Sequence, residues 1–289
     1  MLCPFKFRRT LIAVVLSVSF GLFATSVLAQ IEFRTLKPDE IQARLQNFSE
    51  KNDEREATIK RLFVASGCKP DNLTEQWVTK KLPPNVICIL PGETDRIILV
   101  GAHTDHVEVG DGVVDNWSGA ALLPSLLYSL SAKPRQHTFV FVGFTAEEEG
   151  MVGSEFYAAK LTKQQRSIID GMVNLDTLGL GPTKVWASHA DKPMLEALAR
   201  AADEMQLSIG AVNFEQVGTT DSESFARLRI PRITIHTITQ QTWPILHSKK
   251  DTLKAIRIDD YYASYRLMAG YLALLDSSLG QPAVPRKDH

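Results

Sequence analysis

The chain has 289 residues, of which 44% are hydrophobic and 22% charged, with a formal net charge of -1. That length and apolar content allow one sizeable core or two small ones. The near-neutral balance, with no Lys/Arg-rich block, excludes a nucleic-acid footprint.

The first segment reads as a leader. Lys6, Arg8 and Arg9 precede an uncharged, mostly apolar stretch over residues 11–24, and Val27-Leu28-Ala29 offers small residues for cleavage before Gln30. The stretch falls short of the ~20 apolar residues of a membrane span. Residues 1–29 are therefore expected to be removed and the mature chain exported, to the periplasm or beyond, with no stable membrane partner. Cys3 leaves with the leader, and Cys68 and Cys88 remain as a pair. In an oxidising compartment such a pair is expected to form a disulfide. The alternative makes Cys88 a free small core residue in Asn85-Val86-Ile87-Cys88-Ile89-Leu90. No Cys/His spacing suggests cysteine-bound zinc.

Along the mature chain strands and helices alternate, the pattern of an α/β protein. Residues 53–66 carry Ile59, Leu62 and Phe63 at helical spacing and stop at Gly67. Strands are expected at 73–78 and 86–90, joined through Pro83-Pro84. Further strands follow at 96–101, 137–144, 171–175, 185–188 and 232–237. Helices are expected at 118–131, 152–160, 193–205 and 259–275. No repeat or linker interrupts this order, so one domain is expected over 31–278, followed by a tail over 279–289 that frays at its end.

Several of the apolar runs stop at side chains that can bind metal. Ile97-Ile98-Leu99-Val100-Gly101-Ala102 ends at His103-Thr104-Asp105, Phe139-Val140-Phe141-Val142-Gly143-Phe144 leads to Glu147-Glu148, and Met172-Val173-Asn174-Leu175 ends at Asp176. Buried strands that end in charge are costly unless a cation neutralises them, and open α/β sheets bind ligands at the carboxyl ends of their strands. His247 stands in the late segment Leu246-His247-Ser248-Lys249-Lys250-Asp251. Two cations about 3.5–4 Å apart need a carboxylate shared between them. Asp115 is the candidate, because Gly110 and Gly112 let the backbone fold it back towards His103. Asp105 shares a strand face with His103 by the period-2 rule and can fix the imidazole tautomer. Of Glu147 and Glu148, one can bind metal while the other takes a proton from water.

His103-Thr104-Asp105, Asp115-Asn116-Trp117-Ser118-Gly119, Glu147-Glu148-Glu149-Gly150, Asn174-Leu175-Asp176 and His247-Ser248-Lys249-Lys250-Asp251 together resemble the co-catalytic di-zinc peptidase family. That family includes bacterial leucyl aminopeptidases, glutamate carboxypeptidases and animal-type glutaminyl cyclases. The resemblance runs from about residue 50 to 275. It implies one α/β domain with a mixed, mostly parallel central β-sheet flanked by helices on both faces. It also implies two zinc ions, with His103 and Asp176 on one, Glu148 and His247 on the other, and Asp115 bridging. Glu147 would then be the general base, and Asp105 would orient His103. Asp221-Ser222-Glu223-Ser224-Phe225 resembles a further family stretch, with Ser222 where the family commonly has His.

Each assignment has a competitor. His236 also follows an apolar strand, but only His247 is followed four residues later by an Asp. His236 is expected in the core or at a pocket edge, and His106, His137 and His189 carry no ligand spacing. Glu149 competes with Glu148, and Asp111 with Asp115, which alone precedes Asn-x-Ser-Gly. Trp117 is expected to pack, and Trp243 could either pack or line a pocket. The chain lacks a Gly-x-Ser-x-Gly elbow, a Walker loop and a His-Glu-x-x-His helix. The expected function is an exported aminopeptidase acting on peptides. The alternatives are a one-zinc glutaminyl cyclase, a carboxypeptidase or dipeptidase of the same family, and an inactive binding ectodomain, which should have lost ligands.

Overall fold

A computed structural model describes residues 32–214 and 218–280. The expected leader, the end of the tail and residues 215–217 lie outside the described residues. Two helices come first, α1 (Pro38–Gln46) and α2 (Asn52–Ala65), and then an antiparallel hairpin of β1 (Leu73–Gln76) and β2 (Asn85–Leu90). β3 (Ile97–His103), α3 (Ser118–Ala120), α4 (Leu122–Leu130), β4 (Thr138–Phe144), α5 (Val152–Lys160), α6 (Lys163–Ser167) and β5 (Ile169–Leu175) follow. The chain continues through β6 (Lys184–Val185), α7 (Lys192–Glu204), β7 (Gly210–Ala211), α8 (Glu223–Ala226), β8 (Arg232–His236) and α9 (Ile258–Ser278).

The strands form one mixed sheet in the order β1-β2-β4-β3-β5-β8-β6-β7. Its centre is parallel, with β4, β3, β5 and β8 side by side, and antiparallel pairings flank it. Central strands buried on both faces read as continuous apolar runs, which is how β3 and β4 read, while in β5 Asp170 and Asn174 interrupt the run. Their alternate side chains serve two cores. Ile98, Val100, Phe139, Phe141, Val173 and Ile233 face the larger core, shared with α2, α4, α7 and α9. Leu99, Val140, Val142, Phe144 and Met172 face the smaller one, with Ala158 of α5 and Phe225 of α8. Helices thus cover both faces.

Several elements differ from the sequence expectation. The strand expected over 185–188 is only two residues long, because the chain turns into a 3-10 turn at Ala187–His189. α1 carries its apolar face only at Ile41 and Leu45, too few positions to show a period. Cys68, just past the end of α2, is joined to Cys88 of β2 by a disulfide. That link fastens the α2 layer to the sheet. Among the described residues no helix is long and apolar enough to cross a membrane.

Candidate metal centre

Parallel strands β3, β4 and β5 all deliver their carboxyl ends to one edge of the sheet, and the site forms there. His103 is the last residue of β3. Its Nε2 lies 3.2 Å from Asp115 Oδ1 and 3.8 Å from Asp176 Oδ1, just past the end of β5. His247 Nε2 lies 3.2 Å from the other Asp115 oxygen and 3.0 Å from Glu148 Oε2. Asp115 therefore stands between two imidazoles, each with a second carboxylate behind it. Ligand atoms of His103, Asp115 and Glu148 lie within 4.8 Å of one another.

Asp115 reaches this position through its loop. Gly110 and Gly112 both take positive φ, at 81° and 55°, a region open to glycine without a steric penalty. Asp251 then holds the turn, its two carboxylate oxygens accepting the N–H groups of Val114 and Asp115 at 2.7 and 3.1 Å. Asn116 donates to the Leu175 carbonyl and accepts from the Thr177 and Gly119 amides. This one side chain stitches the Asp115 turn to the segment carrying Asp176. Non-glycine residues with positive φ cluster here as well: Ala146 before Glu147, Met151, Thr177 after Asp176, and His247 itself. Strained backbone of this kind persists only where the surroundings over-determine it, and it gathers at functional sites.

Asp105 serves a wider purpose than the strand pattern suggests. Its two oxygens accept the amides of Glu147 and Glu148 at 3.0 and 3.1 Å. The closest polar contact of His103 Nδ1 is the Asp105 main-chain carbonyl at 3.2 Å, with the carboxylate at 3.6 Å. The same residue thus fixes the imidazole and the paired glutamates. Glu149 is exposed. Asp111 lends the centre only main-chain groups, its N–H to the Asp251 carbonyl and its carbonyl to Arg55. His106 bonds the Glu50 carbonyl, His189 pairs with Glu223, and His137 sits between Asp170 and Asp276.

The electrostatics are those of too many carboxylates in a dry place. Burial opposes charge on His103, yet Glu147, Asp105, Asp115 and Asp176 hold its pKa well above the ordinary value. His247 is raised to about 10 by Asp115 and Glu148, and Asp115 is held low by both imidazoles against the effect of burial. Burial pushes Glu147 up to about 9, with Asp221, Asp176 and Asp115 adding to it against the pull of His103. A tetrahedral zinc with bonds of about 2.0–2.1 Å sets its ligand atoms roughly 3.3 Å apart, and the separations above bracket that. Glu148 Oε1 is buried without a hydrogen-bond partner. The residues fit a zinc-type cation.

Sequence reasoning missed Arg55. It is fully buried and donates to the carbonyls of Ser49, Thr104, Asp111 and Gly112, clamping the loop between His103 and Asp115. Its signal was available, because Arg55, Ile59 and Phe63 share one helix face at i, i+4 and i+8. The pocket above the centre encloses about 370 Å³, and its walls include Met151, Phe214, Ile238, Trp243 and Leu246. Trp117 is buried in the core. Ser222 is buried and accepts from Thr234, outside the pocket wall.

Sheet and site together define a class: α/β proteins with an imidazole–carboxylate cluster suited to metal at parallel strand ends. Residues 85–272 match Peptidase family M28, and the chain belongs to that family. It is similar to aminopeptidase Y of Saccharomyces cerevisiae, 38% identical over 87 residues, which cover 30% of this chain and 16% of that protein. Among solved structures it is similar to BSAP, a zinc aminopeptidase from Bacillus subtilis. That likeness has a TM-score of 0.62 and 21% identity over 70% of this chain and 52% of that one. An Acidobacteriales bacterium glutaminyl cyclase gives a TM-score of 0.71 at 18% identity, covering 88% of this chain and 99% of that one. The chain thus spans about half of BSAP and less of the yeast relative.

Proposed function

We propose that the protein is an exported zinc aminopeptidase that removes N-terminal residues from peptides. The single observation that carries this reading is the character of the pocket. Its described lining holds the imidazoles and carboxylates of the centre and a set of apolar side chains, with no Lys or Arg. Such a lining suits a substrate that brings a protonated amine and a neutral, bulky side chain. A carboxypeptidase has to capture a substrate carboxylate, and nothing described in this lining offers the cation for it.

In this reading His103 and Asp176 would hold one zinc and Glu148 and His247 a second, with Asp115 serving both. Zinc held there would acidify a water, polarise the scissile carbonyl and draw the raised Glu147 carboxyl back down. Glu147 takes the proton from the attacking water and delivers it to the leaving amine. Asp105 keeps Glu147 and Glu148 in register by holding both their amides, and it fixes the ring of His103 through its carbonyl. The domain would span 31–278, with residues 1–29 as a removed leader. The Cys68–Cys88 disulfide supports an oxidising compartment.

The test uses the mature protein, a panel of aminoacyl-nitroanilides and elemental analysis. About two zinc per chain, loss of activity with chelator and recovery with added zinc are expected. No release from any metal-loaded sample would overturn the reading. A second reading, a one-zinc glutaminyl cyclase, is favoured by fold size, since the chain covers nearly all of such a cyclase and about half of BSAP. Ammonia release from N-terminal Gln peptides at one zinc per chain would select it.

A further inference from the structure

His236 ends β8 and is completely buried. It touches none of the candidate metal ligands and does not line the pocket. Its two ring nitrogens are nonetheless both engaged, and both by segments that form the pocket wall. Nε2 donates to the Val212 carbonyl at 3.0 Å, two residues before Phe214. Nδ1 accepts the N–H of Ile238 at 3.1 Å. The ring also meets Phe214 edge-on, with centroids 4.9 Å apart at 85°. Phe214 in turn lies against Trp186 at 4.0 Å and faces Trp243 at 6.4 Å. Phe214, Ile238 and Trp243 are pocket lining.

We propose that His236 is a positioning residue for the substrate side-chain pocket, its neutral imidazole tying the Phe214 segment to the Ile238 segment so that the apolar wall keeps its shape. The inference rests on the aminopeptidase reading for the identity of the substrate. Only one tautomer satisfies both bonds, with the proton on Nε2 and the lone pair on Nδ1. A second proton would set one N–H against that of Ile238. Burial, with Lys184 nearby, pushes the imidazole down to about 4, so the neutral ring persists at working pH. An aliphatic or phenyl side chain would fill the same space and leave the Val212 carbonyl and Ile238 amide without their partner. Both wall segments would then be free to drift, and a wall that drifts stops discriminating by size.

The experiment compares leucyl- and alanyl-nitroanilide on the zinc-loaded wild type and on His236→Phe, His236→Gln and His236→Asn. An apolar pocket separates side chains by roughly 10–200-fold per methylene, so the wild type should favour leucine at least about tenfold in kcat/KM. In His236→Phe that preference should collapse to within about threefold. The loss should fall mainly in KM for the leucyl substrate, with zinc content unchanged. His236→Gln can still donate to Val212 and should recover part of the preference. His236→Asn can still accept from Ile238 and should recover a different part, so this pair reports even if the Phe variant does not fold. A preserved leucine-to-alanine ratio in all three overturns the inference, as does an equal loss in kcat for both substrates. If the wild type cleaves neither substrate, the aminopeptidase reading has failed separately. Quenching of tryptophan emission by free leucine and alanine then reads the wall directly. An unchanged binding ratio in the variants overturns the inference, and a lost leucine preference upholds it.

Discussion

Glu147 and Glu148 are adjacent, yet they face different partners. Glu148 meets His247 at 3.0 Å, whereas Glu147 makes no such contact and stands among Asp221, Asp176, Asp115 and His103. Glu147→Gln should therefore slow turnover by roughly 10²–10⁴-fold with zinc content near wild type. Glu148→Gln should lower occupancy at one zinc, and Glu149→Gln should change little. Activity and zinc content measured on all three in parallel check the register. An inactive Glu149→Gln beside a nearly normal Glu147→Gln would move the general base along the chain. At this scale the sequence was informative where chemistry sits at a strand end, as at His103 and Asp176, because an apolar run that stops at charge is visible in one dimension. It was silent on Phe214 and Ile238. An apolar residue in a loop looks the same whether it lines a pocket or fills a core.

The loop between β3 and α3 is held from two sides, by Arg55 of α2 on its carbonyls and by Asp251 on its amides. Asp251 was legible only as a spacing from His247, and its use could not be read, because hydrogen bonds from one loop to another leave no periodicity. Arg55 holds a place on an apolar helix face, where in sequence a charge looks like a solvated position. Outer partners of this kind typically change metal affinity 10–100-fold when lost. Asp251→Asn keeps size and one acceptor but turns an NH2 towards one of the two amides. It should weaken zinc binding roughly 10–100-fold, read by competition with a chromogenic chelator. Unchanged affinity would reduce Asp251 to a fold-stabilising role.

At the opposite end of the sheet lies a second buried charged group. His137 sits 3.1 Å from Asp170 and 3.3 Å from Asp276 of α9, and Arg96 pairs with Asp170. Burial disfavours the imidazolium, but Asp276 and Asp170 raise the pKa of His137 above its ordinary value. Its contribution to stability should therefore be complete below about pH 6.5 and fade as pH rises through the folded-state value. Urea midpoints of zinc-saturated wild type and His137→Gln, followed from pH 6 to 9, should converge at the alkaline end. A constant gap would assign His137 to packing alone. The alternation of strand and helix was readable in the sequence, and the mixed sheet covered on both faces came with the family resemblance, but the order of the strands was in neither. The short strands β6 and β7 at one side of the sheet were not readable as they stand, because two residues carry no alternation. The residues proposed to hold metal are spread from His103 to His247 along the chain, and Arg55 and Asp251 extend the set at both ends. No hairpin or local fragment contains them, so a nascent chain has no centre to fill. On the proposed ligand set, metal capture would belong at the end of folding, after the long-range strand pairings have closed, and a chain that lost its sheet would give up its metal at the same time.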